Sequence, residues 1–180
     1  EDPRRQRQMC IRDSPLTDEN LNENQFSIKS KQLLKLLNKC KFSISNDETR
    51  HYLSGIYIHQ TEVDDKNYLT AVATDSHRMS ISKVRLHEKI NFEPIILPKK
   101  AIFQLCSLLD NYDGDVKIYN LNTKIKFELD KSILISKLID GKFPNYIQVI
   151  PKNNKKKLEI DLKVFLDSVD RVASVSLDKK

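Results

Sequence analysis

Three stretches of the chain share one plan of apolar and polar positions: residues 26–37 (FSIKSKQLLKLL), 95–106 (IILPKKAIFQLC) and 158–169 (LEIDLKVFLDSV). Each opens on apolar residues of strand type, Phe26 and Ile28, Ile95 and Leu97, Leu158 and Ile160. A residue suited to a helix start follows, Ser30, Pro98 and Asp161 in turn. Then comes an amphipathic helix, with apolar pairs at 33/34 and 36/37, at 102/103 and 105/106, and at 165/166 with 169. By subtraction of their first positions the copies begin 69 and 63 residues apart, so the chain carries an internal repeat.

Between the copies, alternating or continuous apolar runs predict strands at 52–59, 68–74 and 79–84, and again at 116–119, 125–129 and 132–139. Turns punctuate them at Asp64-Asp65-Lys66-Asn67, Asp113-Gly114-Asp115 and Asp130-Lys131. The unit is strand–helix–strand–strand–strand, complete twice, with a third copy begun near Lys156. Four strands and one helix leave one sheet face to bury. Two such units are therefore expected to pack into a pseudo-twofold α+β domain over residues 24–145, with both helices on one side of the sheets. Residues 146–180 then read as an inter-domain segment and the truncated start of a further domain, which makes the chain a fragment of a longer protein.

The ends differ in character. Residues 1–14 (EDPRRQRQMCIRDS) are charged and lack a hydrophobic period; RRQRQMCIRDS resembles translated adapter read-through, with a basic nucleic-acid-binding arm as the alternative. Residues 15–23 read as a polar linker.

Composition removes several function classes. Among 180 residues, 31 Lys and Arg face 25 Asp and Glu, a net charge of +6, and 39% of residues are hydrophobic. That is enough apolar material for a core, yet no run approaches the roughly 18 residues of a membrane span. Three glycines cannot assemble a GxGxxG or GxxxxGK[ST] loop. Cys10, Cys40 and Cys106 are widely spaced without a CxxC, which fits a reducing, cytoplasmic setting rather than a disulfide frame or zinc knuckle. The four histidines form no HExxH, so neither a metal nor a cofactor is expected. In TDSHR (74–78), Asp, Ser and His are consecutive and their side chains diverge, so a catalytic relay is excluded and a structural or binding turn remains. No enzyme is expected.

The first helix carries the charge signal. From Lys29 to Lys41 there are five lysines and no acid, and Lys31, Lys35 and Lys39 fall at i, i+4 and i+8, opposite Leu33, Leu36, Leu37 and Cys40. Such a face suits a phosphate backbone read without sequence preference. It is equally the pattern of a solvated lysine face.

TDSHRM (74–79), ILPKKAI (96–102) and SKLIDGKFPNYIQVIPKN (136–153), together with the repeat, resemble the β subunit of bacterial DNA polymerase III, the sliding-clamp family, from Asn24 to Lys180. The resemblance implies a head-to-tail dimeric ring of three similar domains per subunit. Its helices would line a hole around duplex DNA. The partners it implies are double-stranded DNA, the polymerase III catalytic subunit, the clamp loader and other clamp-binding peptides. By motif position, Arg50 and Tyr52 match a DNA-contacting loop, with His51 in place of one of its paired aromatics, and Lys100 matches a basic position on the inner surface. Leu53, Thr74, His77, Arg78 and Met79 match one wall of a partner-peptide pocket, and Pro144 and Val149 the inter-domain segment beside it. Ser76 stands where the family motif has Gly, and Gln148 where a basic residue is common. The alternative is a protein-interaction module of clamp fold that does not encircle DNA.

Overall fold

The computed structural model describes residues 25–175. Residues 1–14, read above as foreign sequence or a basic arm, and 15–23, read as a linker, lie outside them. In chain order the elements are β1 (Gln25–Lys29), α1 (Ser30–Asn38), β2 (Gly55–Val63), β3 (Lys66–Thr74), β4 (Met79–Arg85), β5 (Ile95–Pro98), α2 (Lys99–Asp110), β6 (Asp115–Leu121), β7 (Lys124–Leu129), β8 (Ser132–Lys137) and α3 (Leu162–Val175). Short 3-10 helices occupy Lys41–Ser43, Glu48–Leu53 and Tyr146–Val149.

The strands form two four-stranded sheets, ordered β4-β3-β2-β5 and β1-β6-β7-β8. The repeat is present, but its halves are not separate. β1 belongs to the first repeat and pairs with β6 of the second, while β5 of the second pairs with β2 of the first. A sheet built from a single repeat, as the sequence reading assumed, is therefore corrected to a reciprocal exchange of first strands. The geometry of connections accounts for it. A strand joined to its neighbour through a helical crossover would run parallel to it, whereas the exchange makes every ladder in both sheets antiparallel.

α1 and α2 pack on each other, α1 also resting on β1, β3 and β4 and α2 on β2 and β5. Positions 69 residues apart are buried in pairs: Ile28 and Leu97, Leu33 and Ile102, Leu36 and Leu105, Leu37 and Cys106, Cys40 and Leu109. All join one cluster with Ile56, Ile58, Leu69, Val116, Ile118, Ile125 and Phe127, so both sheets and both helices share a core.

Element ends depart from the sequence reading for local reasons. Ser30 does not cap α1; it is buried as the first helical residue, its Oγ donating to the Tyr112 carbonyl at 2.7 Å and its N–H to the Gly114 carbonyl at 2.9 Å. It thus ties α1 to the turn after α2. Asp161 does cap α3, accepting from the Val164 N–H at 3.0 Å. Tyr52 and Leu53 lie in a 3-10 helix, and β2 begins at Gly55, where an added Cβ would stand 2.3 Å from the Leu97 carbonyl oxygen. Only glycine lets β5 come that close.

The chain divides into two compact units, the first running through Phe143 and the second from Pro144. Within the second, Leu162, Phe165, Leu166 and Val169 of α3 are exposed.

Candidate nucleic-acid interface and its neighbouring loops

α1 divides into two faces. Leu33, Leu36 and Leu37 are buried, while Lys31, Lys35 and Lys39 are exposed. Acids reach this end of the helix from the turn after α2 and the start of β6: Lys31 Nζ lies 2.6 Å from Asp113 Oδ2, and Lys29 Nζ, at the end of β1, 2.9 Å from Asp115 Oδ2. Both pairs are exposed, so solvent and salt keep them weak and Lys31 can exchange its partner at little cost. Lys35 and Lys39 have no carboxylate within ion-pair distance among the described residues. Lys100 is exposed in the first turn of α2, beside Lys99, whose Nζ donates to Asn46 Oδ1 at 2.5 Å.

The 3-10 helix Glu48–Leu53 is pinned at its start by Asp47. Asp47 Oδ1 accepts from the Thr49 N–H at 2.9 Å and the Thr49 hydroxyl at 2.6 Å, and its Oδ2 from Arg50 Nε at 2.8 Å. These bonds, the Thr49 hydroxyl's first and Arg50's next, hold the Asp47 carboxyl down at a pKa of about 2. Arg50 itself leaves helical geometry, at φ −108° and ψ 58°. Its Nη1 reaches across to Ser76 Oγ at 2.6 Å. His51 lies edge-on to Tyr52 with ring centroids 5.9 Å apart, so the histidine keeps an aromatic pair at this place. A His51 ring nitrogen sits 3.2 Å from the Asp140 carbonyl. The backbone at Gly141 passes so near Tyr52 that an added Cβ would lie 3.1 Å from the tyrosine Cβ. The segment is thus tied both to the β3–β4 turn and to residues 140–141.

The β3–β4 turn holds itself closed. Asp75 Oδ1 accepts from the N–H groups of His77 at 3.1 Å and Arg78 at 3.0 Å, and its Oδ2 from Arg78 Nε at 3.0 Å. Those bonds, led by the one from the Arg78 backbone, keep the Asp75 carboxyl below the usual carboxylate range. Thr74 Oγ1 donates to the Arg78 carbonyl at 2.8 Å. His77 and Arg78 point outward, and Met79 is half-buried opposite Thr74 in the ladder. Leu53 is buried at 4% exposure. Pro144 and Val149 belong to the second unit, where both are exposed. The structure therefore brings Arg50 to the 74–79 turn through Ser76, while Tyr52 lies beside His51 and Gly141.

Sequence reasoning does not foresee the contacts that four residues make here. Asp47 is not singled out, although Asp followed by Thr two positions on is a recognisable cap signal, and Asp75 is read only as part of a structural or binding turn. The Ser76 tether depends on a contact across 26 residues, which nothing local announces. Phe42 is 58% exposed, and Arg78 Cζ lies 5.8 Å from its ring centroid.

Among the described residues, no three His, Cys, Asp or Glu side chains gather as a metal site, and no helix is long and apolar enough to cross a membrane. A family model described as the DNA polymerase III beta subunit, central domain, matches residues 27–145. The beta sliding clamp of Caulobacter vibrioides is 34% identical over 168 residues, covering 93% of this chain and 45% of that protein. That of Rickettsia bellii is 39% identical over 169 residues, covering 92% and 44%. Among solved structures, a C. crescentus beta sliding clamp superposes with a TM-score of 0.85 at 34% identity, over 93% of this chain and 45% of that one. A Bartonella birtlesii sliding clamp bound to griselimycin gives 0.77 at 40% identity, over 86% and 42%. The chain spans less than half the length of these relatives.

Proposed function

The chain belongs to the DNA polymerase III beta subunit family, and on that premise we propose that it is part of a sliding clamp. In this reading the whole protein is a non-catalytic processivity factor of the bacterial cytoplasm. It closes as a dimeric ring around duplex DNA and tethers the replicative polymerase, with the clamp loader and other partners using the same peptide pocket. Residues 24–145 are its middle domain.

The observation that carries the reading is the one-signed outer face of α1. Helices are rigid, and lysines on them can meet phosphates at any register without touching a base edge. A ring held by such contacts moves along the duplex, because each contact is weak and screened while the closed topology prevents escape. Arg50, Tyr52 and Lys100 extend the phosphate-facing set. In this reading Leu53, Thr74, His77, Arg78 and Met79 belong to the middle-domain wall of the peptide pocket, and Pro144 and Val149 are separate candidates from the second unit.

In the complete protein, replacing Lys31, Lys35 and Lys39 together by Glu should weaken DNA retention and flatten its dependence on salt by about two to three units of log–log slope, close to one unit per lost phosphate contact. An unchanged slope would reduce the stripe to a solvated face.

A further inference from the structure

Ser76 has φ +77°, a left-handed backbone that glycine adopts freely and a side chain only at a cost. The chain keeps a serine there, and its hydroxyl is engaged: Ser76 Oγ accepts from Arg50 Nη1 at 2.6 Å. Arg50 is held on a second side by Asp47 Oδ2, which takes Nε at 2.8 Å. Two acceptors on two different loops thus fix the guanidinium plane. Nη2 has no hydrogen-bond partner among the described residues, and the Arg50 side chain is 42% exposed. Asp47 offsets part of the local positive charge, so what the two anchors supply is orientation rather than field.

We propose that Ser76 is a positioning residue for Arg50, holding its guanidinium ready for a DNA phosphate. The inference rests on the reading of Arg50 as a phosphate contact. A free arginine must give up rotamer freedom when it docks, and one already held in place gives up less. The tether also runs between loops with different proposed tasks, because Ser76 sits in the turn whose Thr74, His77 and Arg78 are read as part of the peptide-pocket wall. Asp75 and Thr74 hold the base of that turn without the Ser76 hydroxyl, the Ser76 N–H donating to Thr74 Oγ1 at 3.2 Å whatever the side chain. Removing the hydroxyl should therefore release Arg50 from one of its two anchors, leaving Nη1 free to turn about the Asp47 contact, and leave the turn folded.

The test uses the complete protein and a fluorescently labelled duplex oligonucleotide at low salt, with affinity read by anisotropy and folding by thermal melting. Ser76→Gly removes the acceptor and relieves the backbone, so it should melt no lower than the parent while binding about threefold to tenfold more weakly, the worth of one net hydrogen bond. Ser76→Asn restores an acceptor on a residue that tolerates positive φ and should recover affinity to within about twofold of the parent. In an Arg50→Ala background, Ser76→Gly should have no further effect. Undiminished affinity for Ser76→Gly, or an equal loss with and without Arg50, would overturn the proposal. If Arg50→Ala alone leaves affinity unchanged, the reading of Arg50 as a phosphate contact fails, and the inference falls with it for that separate reason.

Discussion

Ile28→Ala should destabilise both sheets at once, although Ile28 lies in the first repeat. Ile28 is 4% exposed in β1, directly opposite Val116 of β6, and belongs to the cluster shared by both helices. The substitution removes three carbons from a buried side chain, about 2.4 kcal/mol at roughly 0.8 kcal/mol each. The cavity left behind raises the total to about 3 kcal/mol. A domain of this size holds about 5–15 kcal/mol, so the variant still folds. Since about 1.4 kcal/mol is a factor of ten, amide protons that exchange only by global unfolding should lose about two decades of protection. The informative amides are those of β3 and β7, each an inner strand of its own sheet. Because β1 completes the second repeat's sheet and β5 the first's, both strands should lose protection equally in hydrogen exchange read by NMR. If β7 lost protection while β3 kept it, the exchanged strands would not join the halves into one cooperative unit.

Two further outcomes follow from the same structure. His59 stacks on Tyr57 with centroids 4.7 Å apart, and burial pushes its pKa below the ordinary 6.5. The unfolded chain therefore takes up this proton first as pH falls, so stability should decline from about 6.5 down to the lower folded pKa, and urea midpoints at pH 7.5 and 5.5 should lie closer together in His59→Gln than in the parent. Gly55→Ala would set a methyl group 2.3 Å from the Leu97 carbonyl oxygen and push β2 and β5 apart, lowering stability by about 2 kcal/mol or more by urea titration; a parental midpoint would show that the backbone there yields easily.

The repeat was legible because amphipathic period and strand alternation are local properties. Leu33, Leu36 and Leu37 and their counterparts Ile102, Leu105 and Cys106 are buried where the spacing puts them. Strand partners were not legible, because alternation says which face of β1 is buried and nothing about whether β2 or β6 lies beside it. The lysine face was readable from α1 alone, whereas Asp113, the partner of Lys31, lies 82 residues away. The Tyr52 region read as a strand because its residues have high strand propensity; the Asp47 cap and the backbone bonds around it bend it into a 3-10 helix instead. Ser76 could be recognised as a departure from a glycine position, but its purpose depends on where Arg50 reaches.

The most direct test is topological. The complete protein, placed by its clamp loader on nicked circular DNA, is passed over a sizing column in salt high enough to screen individual phosphate contacts, before and after the circle is cut. A ring should stay with the intact circle and leave within minutes of linearisation, with its affinity for short duplexes unaltered. Equal retention on circular and linear DNA, or none on either, would contradict the claim that this chain is part of a clamp that encircles DNA.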